Sequence, residues 1–194
     1  AYTLLLKTFT TIVPVGDFAF RGNLLSAILM SLSVLMIYIS TLRICRWMHP
    51  KARQLTILTS SLLSGAVFAT APIPWSLAVI TEVYALNAMV AGSLVFITFR
   101  LVLSKYGIRD DSSFYNRSLA LFGILLGLGL GNHLTILSVG IPMLFLIGLS
   151  LGWHRLFNPW FLIPLFVGLS VYVYIPLAAM HNPPVNWGDA DTPG

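Results

Sequence analysis

The stretch from Ser118 to Gly152 reads SLALFGILLGLGLGNHLTILSVGIPMLFLIGLSLG, which is 35 consecutive residues without Asp, Glu, Lys or Arg. As one α-helix it would be about 52 Å long, at about 1.5 Å per residue. The hydrocarbon core of a bilayer is only about 30 Å thick, so one crossing cannot use this length. Gly140 and Pro142 offer a place to turn. The stretch therefore predicts two membrane spans, of which the second is short.

The rest of the chain is likewise rich in hydrophobic residues and poor in charged ones. Of the 194 residues, 57% are hydrophobic and 9% are charged, with a mean hydropathy of +0.88, whereas soluble domains carry about 25% charged residues. This composition excludes a soluble globular domain, a disordered chain and a coiled coil. We predict an all-α polytopic integral membrane protein with about six transmembrane helices, at residues 23–42, 55–71, 77–99, 118–137, 139–152 and 160–178.

The basic residues indicate the orientation, because basic loops stay cytoplasmic. Four follow the first span and four lie between residues 100 and 117, so that together with Arg155 nine of the 11 Lys and Arg residues fall on one side. Lys7 and Arg21 fall on the other side, with four of the six acids. The net charge of +5 is therefore explained by basic loops on the cytoplasmic side of the membrane, and we expect no nucleic-acid partner.

Both ends of the chain lie outside the cytoplasm in this topology. We expect residues 1–22 to form an outer-face interfacial helix and loop, because the apolar segment at residues 1–13 is too short to span. Residues 179–194 would begin an extracytoplasmic loop. The chain starts without Met inside an apolar segment, so we expect a fragment of a longer protein. The single cysteine, Cys45, excludes an internal disulfide.

Glu82 is the first candidate site residue. In the predicted span 77–99 it lies about 8 Å below the outer end, and ionisable groups at such depth usually face a polar cavity or a partner. Tyr84 follows two residues later. A structural glutamate that bonds to a neighbouring helix, or one that snorkels to the interface, is the alternative interpretation.

Asn132 and His133 form the second candidate pair. A helix that enters at Ser118 rises about 22 Å before it reaches His133. This matches the depth of Glu82, so both positions could face one outward-opening pocket. A satisfied helix–helix contact is the alternative.

Glycines recur at every fourth position of the same span, at Gly123, Gly127 and Gly131. Small residues four apart let two helices approach closely, so they predict packing and a protein-facing span. No cluster of His, Cys, Asp or Glu has the spacing of metal ligands, and we expect no metal site.

The outer loops supply the remaining candidates. Arg21 and Asn23 stand where the loop enters the first span, and an arginine there could hold a lipid phosphate through paired N–H donors or simply extend to water. The C-terminal loop adds polar side chains that could bond sugar hydroxyls and an amphipathic tryptophan plane, although it could equally be an ordinary interfacial loop. These loop residues are Asn182, Asn186, Trp187 and Asp189.

Several of these residues stand in motifs that resemble one family. The motifs are PVGDxAFRxNLLSA from Pro14, EVYAL from Glu82, GNHL from Gly131, YxP from Tyr174 and NPPxNWGD from Asn182. In this order they resemble a large bacterial membrane family long filed as a domain of unknown function. Its vertebrate relative is a transmembrane protein O-mannosyltransferase that acts on plexin- and Met-type receptors. The resemblance covers nearly the whole chain.

The resemblance implies a glycosyltransferase of the GT-C type. Such an enzyme transfers a sugar, here expected to be mannose-like, from a polyprenyl- or dolichyl-phosphate donor to a hydroxyl acceptor on a protein or glycan, at the extracytoplasmic side. The bilayer and the lipid-linked sugar are then its partners, with no covalently bound cofactor. The implied location is a bacterial inner membrane, with the active site facing the periplasm or the outside.

The resemblance also implies roles for individual residues. The general base of this superfamily lies in the first outer loop, which would precede Ala1, so the isolated fragment should be inactive and Glu82 is the catalytic candidate within the chain. The residues expected to bind substrate are Arg21, Asn23, Tyr84, Asn132, His133, Asn182, Asn186, Trp187 and Asp189.

Two other functions stay open from the residues alone. One is a polytopic transporter or flippase, although transporters place polar groups near the bilayer midplane and often have repeated halves. The other is a non-catalytic membrane subunit whose polar residues only join helices.

Overall fold

The computed structural model describes residues 1–105 and 112–180, and within these ranges the protein is helical without a strand. Three short 3-10 turns, at Leu134–Ile136, Trp153–Phe157 and Ser170–Val173, join or precede the later helices. The α-helices are α1 (Tyr2–Ile12), α2 (Phe18–Met48), α3 (Gln54–Thr70), α4 (Pro72–Ala78), α5 (Val83–Ser104), α6 (Ser112–Leu130), α7 (Leu137–Leu151), α8 (Pro159–Leu169) and α9 (Tyr174–Ala179).

Five helical segments are long and apolar enough to cross a membrane: Phe18–Met48, Val83–Ser104, Ser112–Leu130, Leu134–Leu151 and Pro159–Ala179. A sixth crossing is possible if α3 and α4, which meet at an angle of 65°, form one broken span. The bend falls at Pro72, which begins α4 and cannot supply the N–H that would continue α3. The predicted fold class, an all-α polytopic membrane bundle, is confirmed.

The long apolar run turns at a different place from the one predicted. α6 ends at Leu130 and the next helical turn begins at Leu134, so the break lies at Gly131–His133 and not at Gly140. Pro142 lies inside α7, where neighbouring groups in a membrane bundle can compensate for a missing N–H. The predicted spans 118–137 and 139–152 thus correspond to helices that end and begin earlier.

The third predicted span also begins later than expected. The chain from Leu77 is not continuous helix, because α4 ends at Ala78 and α5 begins at Val83. Glu82 is therefore the residue that precedes α5, with φ −144° and ψ 162°. It stands at the end of the bundle and is exposed, and not five residues deep in a span.

α5 lies at the centre and contacts α2, α6 and α7. Its fully buried side chains include Leu94 and Leu101, which belong to one apolar core with Leu119 and Phe122 of α6. The hydroxyl groups of Thr41 on α2 and Ser64 on α3 lie 3.1 Å apart and form a hydrogen bond between these two helices.

The glycines of α6 pack directly against α8, as their spacing predicts. A Cβ added to Gly127 would collide with the carbonyl oxygen of Leu165 and would lie 2.9 Å from the Cα of Gly168. A Cβ on Gly168 would lie 2.5 Å from the carbonyl oxygen of Ile124. Only glycine allows this approach of the two backbones. α6 is therefore a protein-facing helix on this side.

The first helix is short and two-faced. Its 11 residues make a rod of about 16 Å, too short to cross a membrane. Tyr2 and Thr10 are buried against the bundle, whereas Lys7, Thr8 and Thr11 are exposed. This pattern is what an interfacial helix requires.

The two ends of the bundle differ in charge. At the end that we call the basic end, α2, α5 and α7 finish and α3, α6 and α8 begin. At the other end, the polar end, α2 and α5 begin and α6 finishes, and α1 lies there with both described acids, Asp17 and Glu82. The basic end carries eight described bases: Arg43, Arg46, Lys51, Arg53, Arg100, Lys105, Arg117 and Arg155.

Candidate functional site

Two chain segments that the sequence singled out meet at the polar end. Asn132 lies just beyond α6, and its side-chain Nδ2 donates a hydrogen bond of 3.0 Å to the carbonyl oxygen of Val83, the first residue of α5. The backbone N–H groups of Asn132 and His133 both donate to the carbonyl oxygen of Gly129, at 3.0 and 2.9 Å. The end of α6 is thereby fixed to the start of α5.

His133 is oriented by a residue two positions later. Its backbone is extended, and its Nδ1 accepts a bond of 3.3 Å from the backbone N–H of Thr135. The Thr135 hydroxyl also lies 2.8 Å from Nδ1, and this hydroxyl accepts a bond of 3.2 Å from Asn87 Nδ2 on α5. A hydroxyl that accepts from Asn87 is free to donate its own hydrogen to His133.

This arrangement selects one tautomer of neutral His133. Since the backbone N–H of Thr135 points at Nδ1, that nitrogen acts as an acceptor, and the ring proton belongs on Nε2. His133 then presents an Nε2–H donor at the polar end of the bundle. The neighbouring ring is that of Tyr84, whose centroid lies 5.3 Å from the imidazole centroid, with the planes tilted by 53°.

Glu82 stands next to this cluster in the chain. It directly precedes Val83, whose carbonyl binds Asn132, and it is two residues from Tyr84. The Glu82 carboxylate makes no hydrogen bond or ion pair within residues 1–105 and 112–180, and it does not cap α5. An exposed carboxylate without a partner at this position is able to accept a proton or a hydroxyl hydrogen bond.

Arg21 has a structural role at the same end. Its Nη1 donates to the carbonyl oxygens of Thr10 and Val13, at 2.5 and 3.4 Å, and its Nε donates to that of Asp17, at 3.2 Å. The first two carbonyls belong to the last turn of α1 and to Val13, which follows the helix, and carbonyls at a helix end lack intrahelical partners. Arg21 thus fixes α1 to α2, while its Nη2 group keeps both hydrogens for another acceptor.

Asn23 joins the start of α2 to the loop before α5. Its Oδ1 accepts a bond of 2.7 Å from the Thr81 hydroxyl. Gly22 makes the approach possible, because a Cβ there would collide with Thr81. The segment Thr81–Tyr84 therefore lies between the Arg21–Asn23 side and the His133 side, and it connects the predicted residues of both.

Several acceptors at this end have no partner. The side-chain oxygens Oδ1 of Asn87 and Asn132 are buried, and neither receives a hydrogen bond from the residues described. A buried acceptor that receives no hydrogen bond lowers the folding stability by about 1–3 kcal/mol. Such atoms therefore commonly bind water or a ligand.

The remaining predicted residues fall elsewhere. Asn182, Asn186, Trp187 and Asp189 lie outside the described residues. Within residues 1–105 and 112–180, no group of three His, Cys, Asp or Glu side chains is placed to hold a metal ion.

Sequence reasoning did not assign Thr135 or Thr81 to the site, although both connect the predicted residues. The signal for Thr135 is its spacing, because a hydroxyl residue two positions after an extended histidine can reach the imidazole. For Thr81 no signal in the sequence identifies Asn23 as the partner, since the two are 58 residues apart.

The comparisons with known proteins are consistent with this geometry. No curated protein matches the chain, and no solved structure matches it. A family model does match, over residues 1–149. This segment contains α1 to α6, most of α7 and the polar-end cluster of Tyr84, Asn87, Asn132, His133 and Thr135. The chain therefore belongs to the family described as the protein O-mannosyl-transferase TMEM260 N-terminal domain.

Proposed function

We propose that this chain is the membrane-embedded part of a GT-C type glycosyltransferase, which transfers a mannose-like sugar from a polyprenyl- or dolichyl-phosphate donor to a hydroxyl acceptor at the extracytoplasmic side. The observation that carries the proposal is the cluster of Tyr84, Asn87, Asn132, His133 and Thr135 at one end of an apolar bundle. The family to which the chain belongs makes this the reaction to test first.

The reaction needs positive or donor groups for the leaving phosphate. The bond between the anomeric carbon and the phosphate oxygen breaks, the acceptor oxygen bonds to the anomeric carbon, and the acceptor proton passes to a base. His133 Nε2–H is the donor that would bind the departing lipid phosphate, whereas Arg21 bonds the end of α1 opposite to the one that contacts Gly131. The tautomer set by Thr135 supports this role, because it directs the imidazole N–H away from its own backbone.

The base must lie within hydrogen-bond reach of the acceptor hydroxyl, and a carboxylate is one side chain that can serve. Glu82 is the candidate in this chain because it is exposed, unpaired among the described residues and adjacent to the cluster. The resemblance to the GT-C superfamily instead suggests a base in a loop before residue 1, in which case Glu82 binds the acceptor or the sugar. The two roles differ in how much activity Glu82→Gln removes.

The charge distribution supports the proposed side. Eight of the ten described Lys and Arg residues lie at the basic end, and only Lys7 and Arg21 lie at the polar end. Basic segments remain in the cytoplasm, so the cluster would face the periplasm or the outside of a bacterial inner membrane. Donors of the polyprenyl-phosphate class present their sugars to enzymes on that side, and the acceptor hydroxyl would belong to a protein or glycan.

The test uses the complete protein in proteoliposomes with polyprenyl-phosphate mannose and a peptide acceptor. His133→Asn keeps an acceptor near the position of Nδ1 but removes Nε2–H, and we expect it to lower transfer by about tenfold or more. Glu82→Gln should reduce transfer by about 100-fold if it is the base and by less if it only binds. His154→Asn, at the basic end, is the matched control and should retain full activity.

Two results would contradict the proposal. One is full transfer by both polar-end variants, at unchanged expression and membrane insertion. The other is uptake of the lipid-linked or free sugar into the vesicles without any transfer, which would favour a transporter.

A further inference from the structure

The basic end contains a polar cavity, which the proposed reaction does not use. It has a volume of about 420 Å³ and is lined by Lys105, Tyr115, Arg155 and residues 149–152. These residues come from the end of α5, the first turns of α6, the end of α7 and the 3-10 turn that follows α7. The cavity is thus a junction of four elements at the basic surface of the bundle.

Gly152 gives the cavity its shape. Its φ of 96° is a left-handed conformation that residues with a Cβ rarely adopt, and it lets the chain reverse directly after α7. The reversal returns Arg155 to the bundle, where its guanidinium lies 5.6 Å from the centroid of the Tyr115 ring. Arg155 is held over an aromatic face and not released into water.

The cavity has cationic donors and lacks a described anion. Arg155 makes no hydrogen bond or ion pair within residues 1–105 and 112–180, so its five N–H donors are available. Lys105 Nζ donates one bond of 2.8 Å to the carbonyl oxygen of Ser150 and keeps two donors. The acids nearest in sequence, Asp110 and Asp111, lie outside the described residues.

We propose that this cavity binds the phosphate group of an anionic phospholipid from the leaflet at the basic end. A planar guanidinium and an ammonium around one polar space match a phosphate in charge and in donor geometry. Exposed apolar side chains beside it favour a lipid over a free phosphate. Leu149 is 68% exposed, Trp153 45% and Phe157 74%, and they offer contact to acyl chains and to the headgroup boundary.

Native mass spectrometry of the complete protein with phosphatidylglycerol or phosphatidylcholine tests the site. We expect wild type to retain phosphatidylglycerol in preference to phosphatidylcholine. In the double variant Lys105→Gln with Arg155→Gln, the ratio of retained phosphatidylglycerol to phosphatidylcholine should fall about tenfold. Arg53→Gln removes a charge at the same end without lining the cavity and should bind as wild type does. Arg155→Lys should give an intermediate loss, because it keeps the charge but not the planar fork.

The results that would overturn the proposal are equally specific. Equal retention of both lipids by wild type would show that the cavity does not select an anionic lipid, and an equal loss in Arg53→Gln would show that only general charge attraction acts at this end. Displacement of the lipid by millimolar glycerol 3-phosphate would assign the cavity to a soluble phosphate. A preference that appears only when Asp110 and Asp111 are changed to Asn would show that carboxylates already occupy the two cations. Thermal unfolding of each variant shows whether a loss reflects misfolding.

Discussion

Thr135→Val is the substitution that tests the site most directly. Valine has nearly the shape of threonine but no hydroxyl, so the change removes the hydrogen that the hydroxyl offers to His133 Nδ1 at 2.8 Å. It also removes the acceptor of Asn87 Nδ2 at 3.2 Å. The backbone bond from Thr135 N–H to Nδ1 remains, but at 3.3 Å it is the longer of the two contacts.

The expected effect can be worked out from these bonds. A neutral hydrogen bond stabilises by about 0.5–1.5 kcal/mol net, which corresponds to a factor of about 2–12 in the equilibrium constant between oriented and misoriented His133. The transfer rate should fall by up to that factor. The free energy of unfolding should fall by no more than about 1 kcal/mol, because the bond between Asn87 and Thr135 is exposed and water can replace the lost acceptor.

Thr135→Ser is the matched control, since serine keeps the hydroxyl and loses only a methyl group. Initial transfer rates at saturating donor, measured for both variants in proteoliposomes, separate the two contributions. ¹⁵N spectra of histidine-labelled protein report the tautomer, and wild-type His133 should carry its proton on Nε2. The reasoning is wrong if Thr135→Val is as active as Thr135→Ser, or if the wild-type proton lies on Nδ1.

Three further predictions concern packing and topology. Gly127→Ala should lower the free energy of unfolding by about 1–3 kcal/mol because its Cβ collides with the backbone of α8. Gly65→Ala, whose Cβ would lie 3.6 Å from its nearest neighbours, should be neutral or stabilising, and equal thermal shifts in the two would contradict this packing. Arg21→Gln should accelerate hydrogen exchange in residues 2–12 because it removes the donors to the last carbonyls of α1, whereas unchanged exchange would mean that α1 is held by its apolar face alone. Single cysteines at Lys7 and Lys51 should react with an impermeant thiol reagent from opposite faces of the membrane, and labelling of both from one face would overturn the proposed orientation.

The fold class was predictable because apolar length and low charge leave few alternatives. The position of the turn within the Ser118–Gly152 run was not. Proline and glycine are the residues that usually end a helix, but Pro142 stays inside α7. The helix breaks instead at Gly131–His133, where Nδ1 of His133 accepts the N–H of Thr135. A side chain that caps its own segment competes with the helix, and hydropathy contains no information about that bond.

The same limit applies to the candidate site. The residue types of Glu82, Asn132 and His133 were informative, because polar groups are costly in an apolar bundle. The depth argument for Glu82 was wrong, since the residue precedes α5 at the end of the bundle. Its place in the site now depends on adjacency to Val83 and Tyr84, which contact Asn132 and His133. The sequence identified Glu82, Tyr84, Asn132 and His133 as candidates, but only the structure showed which residues pair with them, Thr135 and Thr81 included.

The site is built from the ends of helices, and this has a physical reason. Backbone N–H and C=O groups inside a membrane helix are already paired, so only helix ends can offer them to side chains. The end of α1 binds Arg21, the start of α5 binds Asn132, and the turn before α7 binds His133 through Thr135. Two helix ends and the turn before α7 therefore fix these polar groups, and no polar residue in the middle of the bundle has to do so. α8 supports the same arrangement from outside the matched segment, because its close contact with the glycines of α6 fixes the helix that ends just before Asn132 and His133. Loosening that contact at Gly127 should consequently disturb His133 from more than one helical turn away, which makes the α6–α8 interface part of the positioning of the site.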